Sequence, residues 1–404
     1  MKPFKGILYN TDKANGIANL VCPPYDVIEN TEPYYARSPF NAIRLELPRD
    51  LPDMDRYRNA RNTMHDWLTQ GILMQDTHES VYVYEQEFTV DSVNFLRTGF
   101  ISLQKLDRKR ILTHEQTRKK AKADREKLIG TLKTYTSFIF GLYDDREKKI
   151  HEAISNAPRE LVFDFTDEQD IETRFYRISD RESIKALVSL VEKKHIYIAD
   201  GHHRLDVSYR LRVSHAPFYL TDMYDSGIVI FPYHRLVRFS QKRALPELIG
   251  MLEPFMKIEK IPFNGMDSLT PVLASVAASP DLAFAFFSAD DRRHVYVAAS
   301  EVSPLPLYND STVHDSLKKL KVNAIHSGII RGIMRIEDED ISFTEDHRWS
   351  IDSVLNGSAD LAFFLPPTTV DEVRDIAENG LDMPPKSTFF YPKILTGLVF
   401  YRYA

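Results

Sequence analysis

Residues His195–Leu205 read HIYIADGHHRL, and this stretch decides the fold around it. Its apolar first half predicts a strand over residues 195–199, and the spacing of the residues that follow predicts a helix over 204–212. Asp200 and Gly201 occupy the turn between the two elements. A strand, a glycine and a helix start favour anion binding, because the first helical N–H groups are unpaired and the helix dipole attracts negative charge.

The side chains at this turn suit phosphate chemistry. Gly201 lets the backbone approach a ligand, and Arg204 carries a planar fork of donors that matches phosphate. Asp200 could hold a metal ion or accept a hydroxyl proton. His202 and His203 point in different directions at a helix start, so we expect at least one of them to face a ligand. The alternative is that Asp200 only caps the helix and Arg204 forms a surface pair.

Alternating strands and helices extend outward from this turn. The pattern predicts an α/β or mixed α+β fold. We expect a core domain over residues 1–245 that contains the turn, and a C-terminal α+β lobe over 246–404, because Gln241-Lys242-Arg243 and Pro246 mark a change in composition. The predicted helices are 53–70, 117–131, 181–193, 245–252 and 370–378, and the predicted strands are 80–90, 98–106, 161–165, 175–178, 228–231, 282–287, 295–298 and 398–403.

A second polar stretch, residues 383–393, reads MPPKSTFFYPK. Its prolines lower the entropy cost of ordering the loop, and Lys386 with Ser387 and Thr388 could surround a phosphate. We therefore predict that these three residues and Lys393 bind the substrate. The alternative is a solvent-facing loop that buries only its two phenylalanines.

A positive stretch runs from Arg108 to Lys127, where nine Lys and Arg residues accompany three Asp and Glu residues. His114 at its start could reach a nucleotide. His114-Glu115 lacks the second histidine that a helical zinc site requires. The alternative interpretation is a solvated helix face.

Two further residues are candidates for the same site. Glu46 lies in the alternating segment Arg44-Leu-Glu46-Leu, which predicts a strand, and it could act as a general base. A solvated strand carboxylate is the alternative. Arg235 follows a predicted buried strand and could bind the nucleotide phosphate, or serve the core or the surface instead.

Composition limits the class of protein. With 404 residues, 43% hydrophobic and 27% charged, the chain is expected to fold into two globular domains. The formal net charge of −6 gives no general attraction to nucleic acid. Cys22 cannot form an internal disulfide, and the sequence contains neither a secretion signal nor an apolar run long enough for a membrane span. We therefore expect a cytoplasmic protein without a membrane partner.

Common nucleotide motifs are missing from the sequence. There is no Gly-x-Gly for a dinucleotide fold and no Gly-Lys-Ser/Thr for a P-loop. A kinase catalytic loop and a nucleophile elbow are also absent. If the protein uses a nucleotide, its site belongs to a less common type.

Several motifs together resemble the DUF1015 family of proteins of unknown function. The resemblance extends from the N-terminus to Gly397. It rests on six segments of the sequence: 21–28 (VCPPYDVI), 113–117 (THEQT), 123–125 (ADR), 198–204 (IADGHHR), 232–235 (PYHR) and 383–393 (MPPKSTFFYPK).

The segment 200–204 also resembles, more distantly, the nucleotide loop of the ParB and sulfiredoxin superfamily, which includes free-serine kinases. This resemblance implies a ParB/sulfiredoxin-like core around the loop, with ATP or ADP and Mg²⁺ as cofactors. It implies that His202, His203 and Arg204 bind phosphate and that Asp200 serves the metal or the proton. Sulfiredoxins have a catalytic cysteine where this chain has His202, which disfavours cysteine redox chemistry.

Together these features predict a phosphotransferase. The expected reaction moves a phosphoryl group between ATP or ADP and a small hydroxylated metabolite, most simply L-serine or O-phosphoserine, in either direction. Asp200, His202 and Glu46 are the expected catalytic residues. The first alternative is a nucleotide-sensing or nucleic-acid-binding regulator that uses the 108–127 stretch, although the acidity of the chain and the lack of a helix-turn-helix pattern disfavour nucleic acid. The second is a scaffold. The oligomeric state is left open.

Overall fold

A computed structural model describes residues 1–117, 119–300 and 310–403. The chain forms two units, Met1–Val229 with Pro392–Ala404 and Ile230–Tyr391. The structure thus divides the chain at Val229 rather than at residue 245. The chain returns to the first unit because its end pairs with segments near its start: Ile7 bridges to Phe400 and Cys22 bridges to Thr396.

The first unit is built on an eight-stranded mixed sheet. Most neighbouring strands are antiparallel, and parallel pairs join Ile196–Asp200 to Ile111–Leu112 and His215–Asp222 to Ile139–Tyr143. The strand Ile196–Asp200 lies next to the edge strand Ile111–Leu112. The strands follow the order Ile111–Leu112, Ile196–Asp200, Ile139–Tyr143, His215–Asp222, Val93–Lys105, Val81–Val90, Glu172–Ile178, Glu160–Thr166. Two small sheets pair Ile7–Tyr9 with Leu73–Gln75 and Thr134–Tyr135 with Tyr401–Arg402.

The helix Arg181–Val191 of this unit combines apolar spacing with a capping residue. Ile184, Leu187 and Val191 recur at helical spacing and are buried in the core. The Asp180 carboxylate accepts from the Ser183 N–H at 2.8 Å and so fixes the start of that helix. The α-helices are Glu32–Arg37, Ile43–Glu46, Arg56–Thr69, Lys119–Leu132, Lys149–Asn156, Arg181–Val191 and His202–Arg210, with 3-10 turns at Ile17–Asn19 and Tyr25–Val27.

The second unit contains a six-stranded antiparallel sheet. Its core is formed by the apolar face of the sheet and by helix residues such as Leu269, Ile351 and Val354. The strands follow the order Lys257–Pro262, Asp291–Ser300, Leu282–Ser288, Leu361–Phe364, His234–Val237, Ile341–Thr344, and a small sheet pairs Val229–Phe231 with Phe389–Tyr391. The helices are Leu245–Leu252, Met266–Ala278, Asp315–Lys319, Lys321–Asn323, Ala324–Ile333 in π form, Asp338–Asp340 in 3-10 form, His347–Leu355 and Val370–Glu378.

The mixed α/β class with several sheets is confirmed, while a ParB/sulfiredoxin-like core remains a prediction. The strand predicted at Glu46 is wrong, because residues Ile43–Glu46 form a short helix. Just before that helix, the Asn41 side chain accepts from the Ile43 N–H at 2.9 Å, a turn contact that apolar alternation does not reveal. The last strand is also shorter than predicted and covers Tyr401–Arg402. In the described part of the chain, the helices are too short or too polar to cross a membrane.

Candidate functional site

The turn between Ile196–Asp200 and His202–Arg210 requires a glycine. Gly201 has φ +87°, in the left-handed region. A Cβ atom there would lie 3.1 Å from Arg204 Nε and 3.2 Å from Ile139 Cα. Glycine therefore permits both the backbone conformation and the close approach of Arg204.

The helix His202–Arg210 starts without a side-chain cap. Its N-cap residue is Gly201, which has no side chain to bond to the first N–H groups. The interpretation of Asp200 as a simple helix cap is therefore wrong. The helix dipole favours negative charge at this start.

Two cations hold the Asp200 carboxylate. Arg204 donates to Oδ2 at 2.6 Å, and Lys393 donates to Oδ1 at 2.9 Å. The Arg204 side chain is buried, and those of Asp200 and Lys393 are nearly so. Burial opposes ionisation of Asp200, but the positive charges of Lys393 and Arg204 prevail and hold its pKa well below the usual range. Asp200 is thus a fixed negative charge between two positive ones.

The structure adds Tyr25 and Asp26, which sequence reasoning did not select. Both are close enough to interact electrostatically with Asp200 and Arg204. Asp26 is exposed, yet desolvation by the surrounding protein and then the charge of Asp200 raise its pKa. The signal that could have revealed Asp26 is the turn of residues 22–26, where two prolines fix the backbone just before Tyr25.

Glu46 lies in a buried network beside this group. Its carboxylate accepts from the Ser137 hydroxyl at 3.1 Å and from the Thr136 hydroxyl, and Arg125 lies 3.5 Å away. Arg125 also donates to the Glu46 carbonyl at 2.8 Å. Its guanidinium stacks over the Tyr25 ring at 4.3 Å. Glu46 is therefore buried and bonded, which excludes a solvated carboxylate.

Two of the predicted site histidines, His114 and His202, are in contact. The His114 and His202 rings lie edge to face with centroids 4.8 Å apart, and both side chains are buried. Burial lowers the pKa of His202 to about 4, although Asp200 opposes the shift. Burial and then the neighbouring His202 hold the pKa of His114 well below its usual value. Both rings are therefore neutral near pH 7. His203 lies beside them in the first turn of the helix.

The other predicted residues belong to the second unit. Arg235 is fully buried there, where it donates to the Tyr233 carbonyl and stacks over Phe343 at 5.4 Å. Lys386 Nζ donates to the Tyr233 hydroxyl at 3.2 Å. Ser387 is buried and donates to the Pro384 carbonyl at 2.7 Å. Roles for Arg235, Lys386, Ser387 and Thr388 in phosphate or substrate binding remain predictions.

A magnesium ion would need ligands beyond those the chain supplies. Among the described residues, no group of three or more His, Cys, Asp or Glu side chains is arranged to hold a metal. Both Asp200 oxygens already accept from cations. Mg²⁺ is commonly held by one or two carboxylates together with the phosphates of a nucleotide. The residues therefore fit an ion that arrives with a nucleotide rather than one bound by the protein alone.

Part of the positive stretch 108–127 is engaged within the first unit, while Lys109 and Lys127 are exposed. Arg108 stacks over the Tyr209 ring at 4.0 Å, and Lys122 pairs with Asp206 at 2.7 Å. Arg125 is buried against Glu46. Arg118 and the side chains of residues 119–121 lie outside the described part of the chain. These three cations serve the fold of the first unit.

The sequence matches the model of one protein family. The model of the family described as "Protein of unknown function (DUF1015)" matches residues 1–322. No curated protein matches the chain.

Three solved structures are similar to the chain. A free serine kinase in complex with AMP is 14% identical, with 74% of this chain and 92% of that chain covered and a TM-score of 0.38. A conserved hypothetical protein from Pyrococcus furiosus is 14% identical over 73% and 92% of the two chains, with a TM-score of 0.35. SbnI with a C-terminal truncation, from Staphylococcus aureus, is 10% identical over 73% and 85%, with a TM-score of 0.34. These values are too low to indicate a function.

Proposed function

The chain belongs to the DUF1015 family, whose description assigns no activity, and from its site we propose that it is a nucleotide-dependent phosphotransferase. The proposed reaction moves a phosphoryl group between ATP or ADP and a small hydroxylated metabolite. The resemblance of the loop to free-serine kinases makes L-serine and O-phosphoserine the first substrates to test.

One observation carries the proposal. Asp200 is fixed between Arg204 and Lys393 at the start of a helix that lacks a side-chain cap. The positive charges of Arg204 and Lys393 and the positive end of the helix dipole therefore converge on one point of the first unit. Catalysis of phosphoryl transfer is mainly positioning and charge neutralisation, which such a point supplies.

The two aspartates suit different roles. Because its pKa is held low, Asp200 is a poor proton acceptor and a good permanent charge that orients Arg204 and Lys393. Asp26, whose pKa is raised, is the better candidate to accept the hydroxyl proton. Glu46 holds Arg125, whose guanidinium stacks over the Tyr25 ring, so the role of Glu46 is to position these two side chains.

The proposed step conserves atoms and charge. The bond between the terminal phosphorus and its bridging oxygen breaks, and the electron pair stays with the leaving nucleotide. A bond forms from that phosphorus to the substrate oxygen, while the hydroxyl proton passes to the Asp26 carboxylate. Mg²⁺, brought with the phosphates, would be held mainly by their oxygens, with Asp200 as the protein carboxylate beside it, and would neutralise part of the phosphate charge. The reverse direction uses the same residues with ADP and a phosphorylated substrate.

The decisive experiment is phosphorus NMR of purified protein with ATP or ADP and Mg²⁺. Each nucleotide is offered with a panel of amino acids, hydroxy acids and their phosphates. We expect one acceptor or donor to produce a new phosphate resonance. Nucleotide binding without turnover of any panel member would favour the regulatory alternative.

A variant tests the proton acceptor. Asp26→Asn should lower kcat by about 10²-fold or more while nucleotide affinity changes little, because general base catalysis typically contributes that much. Asp12→Asn, at an exposed aspartate of the same unit, is the control. A normal rate in Asp26→Asn would remove Asp26 from the chemistry.

A further inference from the structure

A pocket of about 340 Å³ runs along one face of the helix His202–Arg210, within the first unit. Its helical wall consists of His202, Leu205, Asp206 and Tyr209, which share a face because they are three, four and seven residues apart. Residues between Thr113 and Thr117 form the opposite wall. Its volume lies within the range of about 300–1,000 Å³ that is usual for small-molecule sites.

Two buried polar atoms in this pocket wall have no partner. The ring nitrogen His202 Nε2 and the Tyr209 hydroxyl are both buried, and neither makes a hydrogen bond within the described residues. The His202 side chain is more than nine-tenths buried. Buried polar groups are nearly always hydrogen-bonded. Two unsatisfied atoms on residues that line one pocket therefore point to a bound molecule as their partner. The backbones of His202 and Tyr209 lie about 10 Å apart along the helix axis, because the two residues are seven positions apart.

The two ends of the pocket differ in the charge that they favour. His202 lies in the first turn of the helix, next to the uncapped start and the Asp200 group, and Tyr209 lies near the other end. The helix dipole draws negative charge to the first turn. A ligand with phosphates at that end would extend its uncharged part along the pocket toward Tyr209.

The far end of the pocket is rigid and aromatic. The Arg108 guanidinium stacks over the Tyr209 ring at 4.0 Å, which fixes the ring plane. Asp206 accepts from the Thr117 hydroxyl at 3.0 Å and pairs with Lys122 at 2.7 Å, so the 113–117 wall is tied to the helix. A planar base with donors and acceptors at its edge matches such a place.

We propose that this pocket binds the nucleoside part of the nucleotide, with the ribose beside His202 and the base at Tyr209. This assignment rests on the proposed function, which supplies the nucleotide. It adds which part of the nucleotide the protein recognises and where that part binds. The phosphates alone would not fill the pocket or satisfy the Tyr209 hydroxyl. The protein should therefore select ADP over inorganic pyrophosphate.

The test is calorimetric titration of the full chain with ADP and, separately, with pyrophosphate. We expect the wild-type protein to bind ADP at least ~10-fold more tightly than pyrophosphate. Tyr209→Phe should weaken ADP binding about 2- to 10-fold, the range of one neutral hydrogen bond, and leave pyrophosphate binding unchanged. Thr113→Trp fills the pocket from an exposed position and should weaken ADP binding at least ~10-fold, again sparing pyrophosphate.

Thr166→Trp, at an exposed threonine on a strand of the same unit, is the matched control and should bind both ligands normally. Equal affinity of the wild-type protein for ADP and pyrophosphate would overturn the pocket assignment while leaving a phosphotransferase intact. The same holds if Thr113→Trp leaves ADP binding unchanged or weakens both ligands equally. Binding of neither ligand by the wild-type protein would overturn the proposed function, and the pocket assignment with it.

Discussion

Lys393 Nζ lies 2.9 Å from Asp200 Oδ1, although 193 residues separate the two in sequence. Arg204, four residues from Asp200, holds the other carboxylate oxygen. One of the two cations is thus provided by a local helix and the other by a distant part of the chain. The site therefore depends on correct folding of both segments of the first unit.

Replacing Lys393 should affect both stability and chemistry. In Lys393→Met, one oxygen of the Asp200 carboxylate loses its partner, and we expect a loss of about 1–3 kcal/mol of unfolding free energy. Phosphoryl transfer should fall at least ~10-fold, because a positive charge beside the phosphate is lost. Urea unfolding and steady-state kinetics measure the two effects. Lys185→Met, at an exposed lysine, should change neither.

Arg204 is expected to act through the shape of its guanidinium as well as its charge. Arg204→Ala should reduce nucleotide affinity or turnover at least ~10-fold, the scale of a charge-assisted contact worth about 1.5–3 kcal/mol. Arg204→Lys should recover only part of this, since an ammonium lacks the planar fork. Arg210→Ala, on the exposed end of the same helix, is the control. Full activity in Arg204→Lys would show that charge alone suffices.

Two glycines should respond oppositely to alanine. Gly201→Ala places a Cβ in the left-handed region and against Arg204 Nε, so we expect a loss of about 1–2 kcal/mol together with weaker nucleotide binding. Gly250 lies in the helix Leu245–Leu252, and a methyl group added there would meet no atom within 4 Å. Gly250→Ala should therefore be neutral or stabilise by about 0.5–1 kcal/mol. Thermal melting of both variants measures the change in stability, and ADP titration measures the change in nucleotide binding.

The stability of the first unit should depend on pH through His202. Burial lowers its pKa to about 4 in the folded chain, whereas an unfolded histidine titrates near 6.5. Between these values the unfolded state binds more protons, so folding stability falls as the pH drops from about 6.5 to 4. The contribution of one such group is about 1.4 kcal/mol per pH unit in that window.

Urea unfolding at several pH values from 7.5 to 4.5 measures this slope. His202→Gln should reduce the slope without abolishing it, because the variant lacks the His202 ring but keeps His114, whose pKa is also held down by burial. His151→Gln, at an exposed histidine, should keep the slope of the wild-type protein. An unchanged slope in His202→Gln would mean that other groups cause the acid sensitivity.

Local chemistry could be predicted from the sequence where neighbours along the chain determine it. The strand, glycine and helix around Asp200 were predicted in the right order, with the helix starting slightly earlier than expected. The pairing of Asp200 with Arg204 is local as well, because residues four apart share a helix face. The helix Val370–Glu378 was predicted with the correct bounds, and its capping box of Thr369 and Glu372 lies within three residues.

Distant contacts could not be predicted in this way. Nothing near Lys393 indicates that its partner is Asp200, because that pairing depends on how the chain returns to the first unit. Glu46 was assigned to a strand because four residues are too few to distinguish alternation from a helical turn. Asp26 was missed because its raised pKa arises partly from Asp200, which is remote in sequence.

The return of Pro392–Ala404 to the first unit has a consequence for synthesis on the ribosome. Asp200 emerges long before Lys393, and at about 5–20 residues per second the delay is roughly 10–40 s. During that time the residues of the second unit are made, and the nascent first unit carries an incompletely neutralised carboxylate and an Ile7 strand that still lacks Phe400. The site at Asp200 therefore matures after translation of the second unit, and a nascent chain stalled before residue 392 should be more accessible to chaperones and proteases than the released protein.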